Sequence, residues 1–337
     1  MRWKSALLLC AGVLLACTGF VQYVENAKEK QIEVIYVTKI IDPKNEFWTA
    51  LLAAAQMAAA EENVKLTIVA PENEEDYERQ NELIYWAIEQ QPDVIMLSAC
   101  DYTQTTPAAK AVVENKIPLV FVDSEVDADI GDCTVSTDNF VAGMRMGELA
   151  QECMDDTTQI AIVGHVKNSS TALERIRGFR YALSGAQDQI VDVVYCDSSY
   201  EKAQEVTRDL LEKYPDIGVI VGTNEYAAVG AAEAVRQMGY QDGITMIGFD
   251  NSLEQVQFLE EGFFQGIVIQ KAFNMGYLGV RQAALIAMGE PCQKSIDSGS
   301  VSITLDNMNE PENQKLLFPF VGKQFREAIR GVDGQSP

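Results

Sequence analysis

The sequence contains few basic residues and almost no histidine. Its 26 Lys and Arg side chains are outnumbered by 50 Asp and Glu side chains, which gives a formal net charge of -24, and His165 is the only histidine in 337 residues. A surface of this sign repels polyanions. We therefore expect neither nucleic acid nor a bare anionic lipid surface as a partner.

The motifs of common catalytic and cofactor sites are also missing. No GxGxxG follows the first predicted strand, and no GxxxxGK[ST], GxSxG or HExxH segment occurs. Five cysteines follow the N-terminal segment without any CxxC spacing, so no metal site and no cofactor are expected. They are Cys100, Cys133, Cys153, Cys196 and Cys292. A Cys100–Cys133 disulfide is one pairing that the sequence leaves open.

The N-terminus has the composition of an export signal. Arg2 and Lys4 precede an apolar run over residues 6–16, and small Ala16 stands before Cys17. The Leu-x-Ala-Cys ending resembles a bacterial lipobox, in which Cys17 would be lipidated. We assign residues 1–17 to this signal.

Two other interpretations of this segment remain open. The apolar character persists to Val24, close to the ~20 residues that span a bilayer, so an uncleaved anchor is one alternative and simple secretion is the other. All three place the remaining chain outside the cytoplasm. Residues 18–31 are then a charged tether, and residues 321–337 form a tail.

From Ile32 the chain alternates apolar strands with amphipathic helices, and the alternation starts again near residue 138. Such a pattern predicts parallel sheets covered by helices on both faces. No low-complexity linker separates the halves, which predicts short crossovers forming a multi-strand hinge. The predicted fold class is therefore α/β, with two doubly wound parallel-sheet lobes in a monomer. We assign residues 32–137 and 271–303 to the first lobe, and 138–270 and 304–320 to the second.

Polar side chains follow several of the predicted strands directly. Asp123 comes after an apolar run, as do Asp250 and Gln270. In an open α/β sheet, ligands bind outside the carboxyl ends of the strands. These positions favour ligand binding over packing, although an Asp after a strand also caps helices.

Seven markers occur in the order found in one known family. With them, the sequence resembles the type I periplasmic binding proteins of the ribose- and galactose-binding class that serve ABC transporters. The markers are Phe47-Trp48, Asp123, Ser136-Thr137-Asp138-Asn139, Glu174-Arg175-x-x-Gly178-Phe179, Thr223-Asn224-Glu225, Gly248-Phe249-Asp250 and Gln270.

The resemblance implies a ligand site made of eight side chains. They are Phe47, Trp48, Asp123, Asn139, Arg175, Asn224, Asp250 and Gln270. Aromatic faces stack on the C–H faces of sugars, carboxylates accept hydrogen bonds from vicinal hydroxyls, and a guanidinium offers forked donors. The family pattern places both aromatics at the sugar, whereas helix geometry favours one in the cleft and the other partly buried.

Four further residues lie near this set in the predicted fold. Lys39 and Asp42 lie in the loop before the aromatics, Tyr200 is a candidate aromatic from the second lobe, and His165 is interpreted as an ordinary loop residue. Ser124 occupies the place where ribose binders often carry Arg, which argues against ribose itself as the ligand.

The implied function is non-enzymatic capture of a monosaccharide or related polyol. The protein would be extracytoplasmic, either held at the outer face of the cell membrane by an N-terminal lipid or anchor, or periplasmic. Its partner would be an ABC permease. The alternative is a sugar-sensing receptor that signals to a membrane sensor kinase or chemoreceptor.

Overall fold

The computed structural model describes residues 31–318, and these residues form two six-stranded sheets. The first sheet has the order β11-β5-β4-β3-β1-β2. Its strands are β1 Ile32–Val37, β2 Val64–Val69, β3 Val94–Leu97, β4 Leu119–Val122, β5 Cys133–Ser136 and β11 Ser295–Asp297. The pairs β1–β3, β3–β4, β4–β5 and β5–β11 are parallel. We call this sheet with its helices the first lobe.

The second sheet has the order β12-β10-β9-β8-β6-β7. Its strands are β6 Gln159–Gly164, β7 Ile190–Tyr195, β8 Ile217–Gly222, β9 Thr245–Phe249, β10 Phe264–Gln270 and β12 Ser300–Ile303. The strands pair in parallel except that β12 runs antiparallel to β10 at the edge. This sheet with its helices is the second lobe. The predicted class of two α/β lobes with mostly parallel sheets is confirmed.

Within residues 31–318, ten α-helices cover the sheets. They are α1 Glu46–Glu61, α2 Tyr77–Glu89, α3 Thr106–Glu114, α4 Asn139–Gln151, α5 Ser170–Ala182, α6 Tyr200–Lys213, α7 Glu225–Gln237, α8 Leu253–Glu260, α9 Ala272–Ala287 and α10 Pro311–Leu317. Side chains just before the helices accept hydrogen bonds from the first turn. Asn45 caps α1, Asp138 caps α4 and Asn224 caps α7, which fixes the helix starts beside the strand ends.

Helices α4 and α5 approach each other at two glycines. A Cβ atom at Gly143 would lie 2.1 Å from the carbonyl oxygen of Arg175, and one at Gly178 would lie 2.0 Å from that of Phe140. Only glycine allows backbones to come this close. The contact determines where α5 presents Arg175.

The chain crosses between the lobes three times, at residues 137–138, at residue 271 and at residues 298–299. The crossovers are bonded to one another, because the Thr137 hydroxyl donates to Gln270 Oε1 over 3.1 Å and lies 3.2 Å from the Ser298 hydroxyl. The assignment of residues 271–303 to the first lobe is wrong at its end. Gln270 pairs with Ser300 in antiparallel register, so β12 belongs to the second sheet.

Several predictions concern residues outside the described part of the chain. These are the export signal 1–17 with Cys17, residues 18–30 of the tether and the tail 321–337. Among the described residues, no helix is both long and apolar enough to span a bilayer. All five cysteines that follow the N-terminal segment are free thiols, so the Cys100–Cys133 disulfide that the sequence leaves open is not formed.

Candidate functional site

The carboxyl ends of the two sheets meet at one cavity. The lining is mostly polar and comes from both lobes. It consists of Lys39, Asn45, Phe47, Trp48, Glu74, Asp123, His165, Thr171, Arg175, Asn224, Tyr226, Asp250 and Gln270.

Seven of the eight predicted ligand residues line this cavity. They are Phe47, Trp48, Asp123, Arg175, Asn224, Asp250 and Gln270. The eighth, Asn139, lies one side chain further away, and its Oδ1 accepts a hydrogen bond from Arg175 Nε at 2.8 Å. The structure thus brings the predicted set together, with Asn139 behind the arginine and not at the cavity wall.

Asp123 and Asp250 follow β4 and β9 with the same unusual backbone. Their φ angles are +68° and +66°, in the left-handed region that few residues other than glycine adopt. The Asp123 amide donates to the Val135 carbonyl and the Asp250 amide to the Val268 carbonyl, both on the neighbouring strand. Strained backbone of this kind persists where the surroundings determine it, and it is frequent at binding sites.

The two carboxylates have different partners. Asp123 accepts from Lys39 Nζ at 2.8 Å, in an ion pair whose members are 4% and 3% exposed. Asp250 accepts from Gln270 Nε2 at 2.7 Å and from the backbone amide of Glu225 at 3.2 Å. Burial raises the pKa of Asp250 to about 6, against the opposing effect of the Arg175 charge.

Arg175 is held by the protein on two sides. Nε donates to Asn139, Nη1 donates to the carbonyl of Thr223 at 2.8 Å, and the guanidinium lies 3.8 Å from the ring centre of Phe249. Burial lowers the pKa of Arg175, while the Asp250 and Asp123 carboxylates oppose that shift. Arg175 is among the residues that line the cavity.

The aromatic wall consists of Phe47 and Trp48 at the start of α1. Their rings meet edge to face, with centroids 5.0 Å apart and planes at 77°. Trp48 Nε1 donates to Glu74 Oε1 at 2.5 Å. Both rings line the cavity, as the family pattern implies, and not one alone, as helix geometry favours. Edge-to-face packing lets adjacent side chains share one wall.

His165 is part of the cavity wall, and its interpretation as an ordinary loop residue is wrong. Its ring nitrogens lie 2.8 Å from the Thr223 hydroxyl and 2.9 Å from that of Thr171. Burial, together with the Arg175 and Lys39 charges, holds the pKa of His165 well below its usual value. The neutral imidazole therefore orients two hydroxyls.

Four more lining residues were outside the predicted set, namely Asn45, Glu74, Thr171 and Tyr226. Tyr226 is the aromatic that the second lobe contributes, and Tyr200 packs behind it with ring centroids 4.7 Å apart. Lys39 lines the cavity, and Asp42 does not. Asp42 instead accepts a hydrogen bond from the Tyr226 hydroxyl at 2.7 Å.

The lobes also touch beside the cavity through Glu225. Its Oε2 accepts from the backbone amides of Glu46 at 3.0 Å and Phe47 at 3.4 Å, and its Oε1 accepts from Tyr200. Burial raises the pKa of Glu225 well above its usual value. A second-lobe carboxylate thus binds the N-terminus of first-lobe helix α1, where the helix dipole favours negative charge.

A family model, related sequences and solved structures all point to the same protein family. The model of the periplasmic binding protein domain matches residues 36–291. The D-ribose/D-allose-binding protein of Pseudomonas aeruginosa is 23% identical over 322 residues, which cover 92% of this chain and 99% of that protein.

Solved structures agree with this match. A sugar transporter from Clostridium phytofermentans is 43% identical with a TM-score of 0.77, covering 81% of this chain and 99% of that one. An ABC transporter solute-binding protein from Agrobacterium vitis, with bound D-fucose, is 27% identical with a TM-score of 0.80, covering 85% and 100%. The chain therefore belongs to the periplasmic binding protein family, with the type I architecture of its ribose- and galactose-binding class.

Proposed function

We propose that this protein captures a monosaccharide or related polyol between its lobes and presents it to an ABC permease. The observation that carries the proposal is the convergence of two strand-end carboxylates, a guanidinium, amides and two aromatic rings in one cavity. The sugar-binding relatives support it, including the fucose-bound protein from Agrobacterium vitis. The predicted eight residues remain the proposed ligand site.

The donor and acceptor chemistry suits a neutral polyol. Asp123 and Asp250 offer acceptor oxygens, while Lys39 and Arg175 offer N–H donors that their protein partners do not use up. Three carboxylates, counting Glu74, outnumber the two cations at the wall. A multiply charged anion such as a phosphosugar would be disfavoured by this balance.

The cavity is lined by side chains of both lobes, which favours ligand entry by separation of the lobes. We propose that bending at the three crossovers opens the cleft, and that closing removes water from the polar contacts and strengthens them. The permease would then recognise the closed form.

A thermal-shift screen against pentoses, hexoses and inositols tests the proposal. A ligand at 100 times its dissociation constant adds about 2.7 kcal/mol of stability. Asp250→Ala should abolish the shift, while Asp242→Ala, at an exposed position, should retain it. If Asp250→Ala responds like the parent protein, the site assignment is wrong. Loss of uptake of the identified sugar in a deletion strain would support the transport role.

The family supports an extracytoplasmic location, and we propose that lipidated Cys17 anchors the protein. Mass spectrometry of the membrane fraction should find an N-terminal peptide that begins at modified Cys17. Cys17→Ala should abolish that modification. A mature protein that retains residues 1–16 would instead indicate an uncleaved anchor.

A further inference from the structure

Glu74 is a buried carboxylate in the loop between β2 and α2. It is 4% exposed, whereas its neighbours Glu72 and Glu75 are exposed. Among the ion pairs of residues 31–318, none involves Glu74; Lys39, the lysine in the same cavity, pairs with Asp123. A buried carboxylate without a cation is costly unless hydrogen bonds satisfy it.

The two oxygens of Glu74 are bonded to different lobes. Oε1 accepts from Trp48 Nε1 at 2.5 Å, in the first lobe. Oε2 accepts from the Ser198 hydroxyl at 2.7 Å, in the second lobe. Charge-assisted hydrogen bonds of this kind are about twice as strong as neutral ones. The carboxylate therefore joins the aromatic wall to the opposite lobe.

The second-lobe end of this connection has a constrained backbone. Ser198 and the preceding Asp197 have φ angles of +55° and +51°, a conformation that non-glycine residues adopt at a cost. The Ser198 hydroxyl also accepts from Asn224 Nδ2 at 3.3 Å. A chain of hydrogen bonds thus runs from Trp48 through Glu74 and Ser198 to Asn224, and both of its ends line the cavity.

We propose that Glu74 is a positioning residue for ligand capture. Its carboxylate sets the plane of the Trp48 indole, and it accepts from Ser198 only when the lobes come together. This inference rests on the proposed function, because it assumes that a ligand lies between the lobes. Glu74 acts through Trp48 and Ser198, because each of its oxygens accepts from one of these two side chains. Its contribution therefore appears in how long the ligand is retained.

Stopped-flow tryptophan fluorescence on the full-length protein tests this role, with the sugar that gives the largest thermal shift. Glu74→Gln keeps the shape but removes the charge, so the bond to Trp48 is no longer charge-assisted and the Ser198 hydroxyl can bond to the new amide nitrogen only as an acceptor. We expect the dissociation rate to rise about tenfold and the association rate to change by less than about twofold, as is usual when a contact forms late. Glu72→Gln is the matched control and should behave as the parent.

A double-mutant cycle isolates the bond between lobes. Ser198→Ala should raise the dissociation rate as well, and the Glu74→Gln, Ser198→Ala double variant should dissociate no faster than about the worse single variant, because the two residues share one interaction. Parental dissociation rates in Glu74→Gln would overturn the proposal. Fully additive effects would overturn the Ser198 part of it.

Trp48 fluorescence provides a test that needs no sugar. Replacing Trp3 and Trp86 by Phe leaves Trp48 as the sole tryptophan, since the chain has three. In this background Glu74→Gln should shift the emission maximum and increase quenching by acrylamide, whereas Glu72→Gln should do neither. If no sugar binds the parent, the proposed function fails, and an unchanged Trp48 emission in Glu74→Gln would separately refute the positioning role.

Discussion

The first and second lobes place Asp123 and Asp250 at equivalent strand ends but neutralise them differently. Both residues have the same left-handed backbone and the same amide bond to the next strand. Asp123 has a buried lysine as its partner, whereas Asp250 accepts from an amide side chain and a backbone N–H. Equivalent geometry therefore comes with different electrostatics, and the two lobes should respond differently to mutation and to pH.

The largest expected effect follows from breaking the ion pair of the first lobe. Lys39→Ala leaves Asp123 buried without its cation, which should cost about 3–5 kcal/mol of unfolding free energy. Urea denaturation measures this. As a control, Lys65→Ala breaks an exposed pair with Glu33 and should cost less than about 1 kcal/mol. Equal losses in the two variants would show that the buried pair has no special role.

The pH dependence should come from the second lobe. The pKa of Asp250 is about 6 in the folded protein against 3.8 for an ordinary Asp. Between these two pH values the folded state therefore holds a proton that the unfolded chain has released. Its contribution to stability is therefore complete below pH 4 and is lost as the pH rises through about 6. The total loss is about 3 kcal/mol at most.

Unfolding free energies of the parent and of Asp250→Asn, measured from pH 4 to pH 7.5, test this prediction. The parent should lose stability relative to the variant across that range, because the variant does not titrate there. The exposed Asp242→Asn serves as control and should show a constant difference. A constant difference for Asp250→Asn as well would mean that the carboxyl is not destabilised by burial.

Replacing either carboxylate should weaken ligand binding to a similar extent, but the two replacements should differ in their effect on the free energy of unfolding. Asp123→Asn and Asp250→Asn each remove a charged acceptor, worth about 1.5–3 kcal/mol or roughly a 10- to 100-fold weaker Kd by calorimetry. Only Asp123→Asn should also destabilise the fold, because it leaves Lys39 buried with its charge uncompensated. A fold destabilised by Asp250→Asn and not by Asp123→Asn would contradict this difference between the lobes.

The smallest effect is expected at Asn139, which supports Arg175 from behind. Asn139→Ala removes the acceptor of Nε, a loss of about 0.5–1.5 kcal/mol that should weaken ligand binding about twofold to tenfold. Calorimetry at constant pH measures it. Val141→Ala, at an exposed position on the same helix α4, is the control. A loss as large as that of Asp250→Asn would indicate that Asn139 contacts the ligand directly.

The parts of the site that the strand pattern alone predicts are those at strand ends, whereas Phe47, Trp48, Arg175 and Asn224 followed from the family resemblance. Asp123, Asp250 and Gln270 each end an apolar run, and the sheet brings them together. His165 follows β6 in the same way, so the same signal was available there. A histidine in a loop has many ordinary explanations, however, and its position after a strand does not distinguish among them.

Other features depended on contacts that no local pattern shows. Glu74 lies in a loop of acidic residues and differs from Glu72 and Glu75 only by its partners in space. Strand β11 has just three residues, and none of them is buried, so no apolar run marks it. The position of β12 depended on its pairing with β10, which decided its lobe.

Gln270 belongs both to the crossovers and to the ligand cavity. Its oxygen accepts from Thr137 where the chain passes between the lobes, and its nitrogen donates to Asp250. The proposed bending at the crossovers would therefore alter the geometry around that carboxylate. One side chain thus connects the crossovers to the cavity. Substitutions at Thr137 or Ser298 should therefore change the affinity for the proposed ligand.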